Sequence, residues 1–230
     1  MLIFEEIKTG NLQQAPFSWA LLDNLYAPAD ADALASSYPH DHYKTVKGSD
    51  GEKEYLYESR ALINLGANKI SHPEELSDAW VALANDLLSQ EYREAISQLI
   101  SYDLKNAPLE VNTFHYGPGA SLGPHLDLKT KIVTHVLYFN KTWDMNDGGY
   151  LKILNSKNPN DIFKMIPPIV GNSAIIVRSE RSWHAVAKVV DGCQWSRRSL
   201  TATFYHPKSP STMWPVGEKA TLHHNTSKDM

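Results

Sequence analysis

Residues 107–140 read APLEVNTFHYGPGASLGPHLDLKTKIVTHVLYFN, and they mark a change in the chain from helical to strand-like patterning. Within this stretch β-branched and aromatic residues alternate with polar ones, and clusters of Gly and Pro separate short segments. The same texture continues to residue 206. We expect strands at 109–116, 122–128, 131–140, 149–154, 161–166, 173–178, 182–189 and 196–205.

The residues before 107 have helical spacing instead. A helix is expected from Ala29 to Tyr38, where Pro39 ends it. A longer pattern from Pro73 to Ile100 predicts two helices or one bent helix, and residues 41–58 are interpreted as a polar loop. About eight short strands after a helical preamble predict a mainly β fold with α-helices, a double-stranded β-helix or jelly roll flanked by N-terminal helices. We expect one catalytic domain over 1–206, with helical support over about 15–105, a jelly-roll core over about 107–206, and a tail or lid over 207–230.

Composition excludes several functional classes. The chain has 230 residues, a formal net charge of −4 and a sequence pI near 6.2, so charge gives no case for nucleic-acid binding. No window approaches the roughly 18 consecutive apolar residues of a membrane span. The single cysteine, Cys193, excludes an internal disulfide and a zinc site built mainly from cysteines. With no signal peptide recognised, we expect a cytoplasmic protein that binds neither nucleic acid nor membrane.

A candidate metal site comes from His125-Leu126-Asp127. Residues i and i+2 of a strand point to the same face, so His125 and Asp127 can converge on one point inside a barrel. His184, on a later predicted strand, is the best candidate for the third ligand. Two imidazoles and one carboxylate leave coordination positions open, as suits iron(II). A His-x-Asp tripeptide alone is weak evidence, and a surface His-Asp pair is the alternative.

The segment 197–204, RRSLTATF, supplies a candidate anion-binding wall. Alternation places Arg197, Ser199, Thr201 and Thr203 on one face, opposite a largely apolar face that can pack on helices. An arginine among hydroxyls would bind a carboxylate through two parallel hydrogen bonds. The alternative is a solvated outer face of the sheet.

Four ordered blocks of sequence extend this pattern. They are 116–119 (YGPG) with 125–127 (HLD), 138–143 (YFNKTW) with 148–151 (GGYL), 178–186 (RSERSWHAV), and 197–201 (RRSLT). In order and spacing they resemble the 2-oxoglutarate/Fe(II)-dependent dioxygenases, specifically their prolyl-hydroxylase-like branch. The resemblance covers roughly residues 109–206.

The resemblance implies roles for individual residues. His125, Asp127 and His184 would be the iron ligands, with no catalytic residue beyond them. Arg197 would bind the distal carboxylate of 2-oxoglutarate, and Arg198 is its competitor on the opposite face of the strand. The other residues that would line the co-substrate pocket are Tyr116, Tyr138 and Thr201.

The resemblance also implies the cofactors and the type of reaction. The cofactors would be Fe(II), 2-oxoglutarate and O2, with ascorbate as a further candidate. Related halogenases lack a carboxylate at the position of Asp127, so this residue favours hydroxylation, or a variant such as desaturation. Asn112 and Phe114 share the inward face with Tyr116 and are candidate substrate contacts, as is Arg60 from the preceding region.

Three functions follow from these residues. The leading hypothesis is hydroxylation of an unactivated C–H bond in a small molecule such as a free amino acid or a biosynthetic intermediate. The second is hydroxylation of prolyl or other residues in a protein or peptide. The third is a non-enzymatic jelly-roll protein that binds a metal or a small ligand. The oligomeric state is left open, with a homodimer as one option.

Overall fold

The computed structural model describes residues 1–49, 54–209 and 221–222. Its α-helices are α1 (Phe4–Lys8), α2 (Pro28–Ser36), α3 (Asp78–Leu88) and α4 (Gln90–Ile100). Its strands are β1 (Trp19–Leu22), β2 (Lys44–Ser49), β3 (Glu54–Ile63), β4 (Leu109–Tyr116), β5 (Ser121–His125), β6 (Lys131–Tyr138), β7 (Leu151–Leu154), β8 (Ile162–Ile166), β9 (Ser173–Val177), β10 (His184–Val186), β11 (Arg197–Tyr205) and β12 (Thr221–Leu222).

The strands form one antiparallel sheet that curls around a cavity. Their order is β1-β9-β6-β11-β4-β3-β5-β10-β7-β8, and β2 pairs with β3 and β12. β3 connects the two halves of the sheet, because it pairs with β4 on one side and with β5 on the other. At the open ends of this order, Trp19 of β1 and Phe163 of β8 pack edge to face with ring centroids 6.1 Å apart. The predicted double-stranded β-helix is confirmed.

The helices cover one outer face of the sheet. Alternation along β4 and β11 sends Leu109, Val111, Leu200, Ala202 and Phe204 into a core shared with α3 and α4. The intervening residues of both strands point into the barrel. A second apolar cluster lies inside the barrel and is formed by residues of β1, β6, β7, β8 and β9. The strands next to the helices, such as β4 and β11, therefore carry helix-packing residues on one face and cavity-lining residues on the other.

The helical segment contains two helices, as predicted. Ser77 and Ser89 each occupy an N-cap, where the side chain accepts a hydrogen bond from the backbone N–H of Trp80 and Tyr92 respectively. Such a cap satisfies a backbone donor that the first turn leaves without a partner. Ser89 therefore starts α4 directly after α3 ends, and the chain bends at that serine.

The expectation of a polar loop over 41–58 is wrong. This region contains β2 and the first half of β3, which form an antiparallel hairpin. Polar residues dominate its sequence because much of the hairpin is only partly buried, so it lacks the apolar run of an interior strand. β3 is stabilised by its pairing with β4. The two strands are distant in sequence, so local patterning does not reveal this contact.

The expected tail or lid over 207–230 lies mostly outside the described residues. Residues 207–209 follow the end of β11, and β12 pairs with Lys44 and Thr45 of β2. No α-helix in the described part of the chain is long and apolar enough to cross a bilayer.

His135 is buried on the face of β6 that packs against the helices, and we expect it to lower the stability of the protein at acidic pH. His135 lies between the Tyr92 hydroxyl at 3.0 Å and the Ser173 hydroxyl at 2.8 Å. Burial lowers its pKa from 6.5 to about 3. Below pH 6.5 the imidazole of His135 takes up a proton in the unfolded chain but stays neutral in the folded protein. The free energy of unfolding therefore falls progressively as the pH drops from 6.5 toward 3. This imidazole should lower the unfolding free energy by about 2 kcal/mol at pH 5.

Urea denaturation at pH 7 and pH 5 measures this effect. His135→Gln should show a smaller difference in unfolding free energy between the two pH values than the wild type. His206→Gln, which changes an exposed histidine, serves as the matched control and should keep the wild-type difference. An unchanged pH dependence in His135→Gln would contradict the role of this imidazole.

Candidate metal centre and co-substrate pocket

Three buried side chains converge at one end of the barrel. His125 is the last residue of β5 and His184 the first of β10, and the two are direct partners across these strands. Asp127 follows two residues after the end of β5. One ligand atom from each residue lies within 4.8 Å of those of the other two, and all three residues are buried. The predicted His-x-Asp pair and the distal histidine are therefore brought together by the fold.

Both histidines are held in the tautomer that a metal requires. Nδ1 of His125 lies 2.9 Å from the Gly123 carbonyl oxygen, and Nδ1 of His184 lies 2.9 Å from the Ser182 carbonyl oxygen. A carbonyl oxygen only accepts, so Nδ1 carries the hydrogen and donates it. The Nε2 lone pair of each ring is then the one that can bind a cation, and the backbone fixes the ring orientation.

Asp127 is held by two side chains from β6. Its Oδ1 accepts a hydrogen bond from the Lys131 ammonium at 2.6 Å, and its Oδ2 accepts one from the Thr134 hydroxyl at 2.9 Å. Burial alone would raise the pKa of this carboxyl group, but the Lys131 charge and the neighbouring imidazoles together hold the pKa well below its usual range. The Asp127 carboxylate is therefore ionised, as a metal ligand must be.

The donor set fits a divalent transition metal. Two imidazole nitrogens and one carboxylate on one face of a cation form the arrangement used by non-haem Fe(II) oxygenases, which leaves positions open for other ligands. Among the described residues, this is the only group of histidine, cysteine and acidic side chains close enough to hold a metal.

Arg197 lies on the cavity face at the start of β11. Its guanidinium carbon is 4.9 Å from the ring centroid of Tyr116 and 5.4 Å from that of Tyr138. Nη1 donates to the Ser199 hydroxyl at 2.6 Å. The side chain is buried, and within the described part of the chain no carboxylate forms an ion pair with it.

The surroundings of Arg197 fit a bound carboxylate. Arg197 Nε and Tyr138 Oη are buried without a hydrogen-bond partner, and a buried polar atom of this kind calls for a ligand or water. Burial raises the pKa of Tyr116 to about 12 and also raises that of Tyr138, although the arginine charge opposes both shifts. Both tyrosines thus keep their hydroxyl protons. A ligand carboxylate would supply the counter-charge that the buried guanidinium lacks.

Arg198 points the opposite way, as alternation predicts. Its guanidinium carbon lies 5.7 Å from the Tyr38 ring centroid, on the side of α2. It lies close to the Ala35 carbonyl oxygen of the same helix. Arg198 therefore supports the contact between helix and sheet, while Arg197 faces the cavity.

The structure places three further predicted residues on the cavity face. Thr201 lies between Asn112 of β4 and Val136 of β6 in the pairing register. Asn112 is buried, and Phe114 is buried with its ring 5.5 Å from that of Tyr57. Their positions agree with those expected from sequence, while their roles stay predictions.

The expected position of Arg60 is wrong. Arg60 pairs with Thr113 across β3 and β4, so it occupies the face that points away from Asn112 and Phe114. Its side chain is fully buried and contacts Asp41 and the backbone carbonyl oxygens of Ser71 and His72. Arg60 stabilises the connection after β3 and makes no contact with the cavity, so we withdraw it as a substrate residue.

Sequence reasoning did not identify the residues that hold Asp127 or the aromatic wall beside Tyr116. Lys131 and Thr134 follow the His-x-Asp motif by four and seven residues, and a polar residue just after such a motif was the available signal. Tyr57 lies 5.4 Å from Tyr116, ring to ring, but the hairpin that carries it was interpreted as a loop.

Comparison with protein families gives a direct match. Residues 111–206 match the model of the 2OG-Fe(II) oxygenase superfamily. This range contains His125, Asp127, His184 and Arg197. A search of curated proteins found no significant match.

Solved structures share the fold at low sequence identity. A prolyl-4-hydroxylase from Pseudomonas putida has 21% identity and a TM-score of 0.58, over 89% of this chain and 97% of that chain. A Trichoplax adhaerens prolyl hydroxylase bound to a peptide fragment of hypoxia-inducible factor has 14% identity and a TM-score of 0.59, over 89% and 87%. An α-ketoglutarate-dependent epimerase from nogalamycin biosynthesis has 13% identity and a TM-score of 0.52, over 88% and 81%.

The fold, the buried His-Asp-His group and the family match agree. The residues present fit both an Fe(II) ion and a dicarboxylate co-substrate. Residues 111–206, which hold His125, Asp127, His184 and Arg197, therefore match the 2-oxoglutarate/Fe(II) oxygenase superfamily, a family of dioxygenases that use Fe(II), 2-oxoglutarate and O2.

Proposed function

We propose that the protein hydroxylates an unactivated C–H bond in a small molecule, such as a free amino acid or a biosynthetic intermediate. In this proposal His125, Asp127 and His184 hold the iron, and Arg197 binds the distal carboxylate of 2-oxoglutarate. Tyr116, Tyr138 and Thr201 line the co-substrate pocket. One observation carries the proposal: a buried arginine that pairs with no carboxylate of the described residues faces the same cavity as a buried His-Asp-His group.

Fe(II), 2-oxoglutarate and O2 would supply the oxidising chemistry when bound. The protein would hold these groups in position and exclude water from the barrel. The two Nδ1–carbonyl hydrogen bonds fix the histidine rings, and Thr134 and Lys131 fix the Asp127 carboxylate. Arg197 sets the depth at which the co-substrate lies along the barrel. The apolar cluster on the inner side of β1, β7 and β9 keeps water out of the barrel.

The polar lining of the cavity favours a small substrate. Asn112, Thr203 and Thr134 are buried on the inner faces of β4, β11 and β6. A small polar molecule that enters the cavity as a whole can contact polar side chains from all three strands. The carboxylate ligand Asp127 favours hydroxylation, because related halogenases lack a carboxylate at this position.

The second candidate is hydroxylation of prolyl or other residues in a protein or peptide. Two of the three similar structures described above are prolyl hydroxylases, and one of them has a peptide fragment bound. Their identity to this chain is too low to transfer their substrates, so this candidate remains second.

A substrate screen decides between the two candidates. The protein is incubated with Fe(II) and labelled 2-oxoglutarate alone, with free amino acids, and with a Pro-rich peptide. We expect release of labelled carbon dioxide that depends on Fe(II), together with a gain of one oxygen in mass in a free amino acid. An oxygen gain in the peptide alone would favour the second candidate. No Fe(II)-dependent release in any mixture would refute the proposed activity.

A further inference from the structure

We infer that the substrate has a net negative charge, and that Arg181 and Lys164 bind its anionic group, a carboxylate or a phosphate. Both cations lie at the metal end of the cavity. The inference rests on the proposed function and narrows its substrate class. It concerns residues that belong neither to the metal site nor to the co-substrate pocket.

Three connections between strands form a rim around the metal end of the cavity. They are residues 126–130 after β5, 155–161 after β7 and 178–183 before β10. The first and third are joined because Arg178 Nε donates to the Asp127 carbonyl oxygen at 3.1 Å. The second begins beside the third, since the Leu154 N–H donates to the Trp183 carbonyl oxygen at 3.0 Å. The three connections therefore surround the same opening.

Basic side chains outnumber acidic ones on this rim. Together with Lys164 of β8, the three connections contain five basic residues, Lys129, Lys157, Lys164, Arg178 and Arg181, and three acidic residues, Asp127, Asp161 and Glu180. Asp127 is already paired with Lys131 of β6. The basic excess occurs in a chain whose formal net charge is −4. An excess of positive charge around a cleft attracts anions and raises their local concentration.

Lys164 lies on the cavity face of β8. It is the direct partner of Ile153 of β7, and Ile153 is in turn the direct partner of His184. Direct partners on neighbouring strands point to the same face of a sheet, so Lys164 shares the face of His184. Because β8 ends the strand order, the Lys164 side chain is exposed. A ligand that enters the cavity beside β8 can therefore reach its ammonium group.

The turn before His184 holds Arg181 at the rim. The Arg181 N–H donates to the Ser179 hydroxyl at 3.3 Å, and the Arg181 carbonyl oxygen accepts from the Trp183 N–H at 2.8 Å. The Ser182 hydroxyl closes the same turn by donating to the Ser179 carbonyl oxygen at 2.9 Å. These contacts fix the backbone, while the Arg181 side chain is exposed. The turn therefore presents a guanidinium close to the metal site.

The carboxylates of the rim are already engaged, whereas these two cations are not. Glu180 pairs with Arg178 at 2.8 Å, and Asp161 accepts hydrogen bonds from two side chains of its own connection. In the part of the chain that the structure describes, no carboxylate forms an ion pair with Arg181 or Lys164. Fe(II) and 2-oxoglutarate have opposite charges of equal size, so their binding would leave the basic excess unchanged. An anionic substrate group would supply the charge-assisted hydrogen bonds that both cations can make.

The experiment compares acidic amino acids with neutral counterparts. L-glutamate is paired with L-glutamine, and O-phospho-L-serine with L-serine, so that the carboxylate and the phosphate are tested separately. Binding to the protein loaded with Fe(II) and 2-oxoglutarate is measured by calorimetry under nitrogen, so that no turnover occurs. We expect at least one acidic probe to bind about tenfold more tightly than its neutral partner. Raising the salt concentration from about 0.05 M to about 0.5 M should reduce this preference, because salt screens exposed charges.

Variants test whether Arg181 and Lys164 cause this preference. Arg181→Gln and Lys164→Gln should each reduce it by about threefold, and the double variant should abolish it. Lys152→Gln is the matched control, because Lys152 lies on the same hairpin but pairs with Met165 and points to the opposite face. It removes the same charge and should keep the preference. Circular dichroism and urea denaturation check that each variant is folded, and either single variant provides the test if the other does not fold.

Four outcomes would overturn the inference. They are equal affinity of the wild type for both members of each pair, binding of none of the four probes, a preference that survives in the double variant, and an equal loss of preference in Lys152→Gln. The last result would show a general effect of net charge in place of a site. Because binding is measured without turnover, a protein that prefers acidic probes but never consumes 2-oxoglutarate would refute the proposed function and leave this inference standing. Oxidation of a neutral substrate without any acidic preference would do the reverse.

Discussion

Asp127→Ala should abolish 2-oxoglutarate turnover and weaken Fe(II) binding by about a hundredfold or more. The substitution removes the only anionic ligand of the proposed iron site and leaves two neutral imidazoles. Even the outer residues that orient metal ligands contribute about tenfold to a hundredfold to affinity, so loss of a ligand itself should cost at least as much. Calorimetric titration with Fe(II) under nitrogen gives the affinity, and labelled carbon dioxide release gives the turnover.

Asp32→Ala is the matched control for this variant. Asp32 is an exposed residue of α2 that pairs with Lys141, far from the cavity. It should bind Fe(II) and consume 2-oxoglutarate like the wild type. If Asp127→Ala bound Fe(II) as tightly as the control, Asp127 would not be a metal ligand and the proposed site would be wrong. Urea denaturation of the metal-free protein separates loss of the site from loss of the fold.

Arg197→Lys should raise the KM for 2-oxoglutarate by about tenfold to a hundredfold. Lysine keeps the positive charge, but it cannot form the two parallel hydrogen bonds that a guanidinium offers to a carboxylate. It also loses the planar group that lies between Tyr116 and Tyr138. The affinity for Fe(II), measured without co-substrate, should change little because Arg197 contacts none of the three ligands.

The neighbouring arginine provides a control on the same strand. Arg198→Lys changes a side chain that faces α2, so the KM for 2-oxoglutarate should stay close to that of the wild type. The reverse result, with Arg198→Lys impaired and Arg197→Lys normal, would contradict the assignment of the co-substrate pocket.

The contrast between these two arginines was predictable from the sequence. A strand sends consecutive side chains to opposite faces, so the segment 197–204 fixes which arginine accompanies Ser199 and Thr201. The same rule placed Asn112, Phe114 and Tyr116 on one face of β4. The outward positions that pack in the helical core are apolar in both strands, and this pattern is present in the sequence itself: they are Leu109, Val111, Leu200, Ala202 and Phe204.

The hairpin of β2 and β3 was not predictable in the same way. The sequence around Tyr55, Tyr57 and Arg60 mixes aromatic and charged residues, and the strand forms because it pairs with β4 and β5. A tertiary contact of this kind overrides the local pattern. The position of Arg60 was wrong for the same reason, since its face depends on the register with Thr113.

The surroundings of Asp127 required coordinates for a different reason. Lys131 is four residues from Asp127, but only the turn between β5 and β6 brings its ammonium onto the carboxylate. The contact between Glu110 and Tyr205 joins residues 95 positions apart. Side chains that meet across such separations have no spacing in the sequence that would identify them.

The alternation along β4 and β11 also bears on how this protein can change during evolution. Residues that support the helices and residues that line the cavity are neighbours in the chain, yet they lie on opposite faces of the sheet. A substitution at Glu110, Asn112 or Thr203 can therefore alter what the cavity accepts while the packing of Val111 and Ala202 stays as it is. Substrate specificity and folding stability can therefore evolve independently, although the residues that determine them alternate along the same two strands.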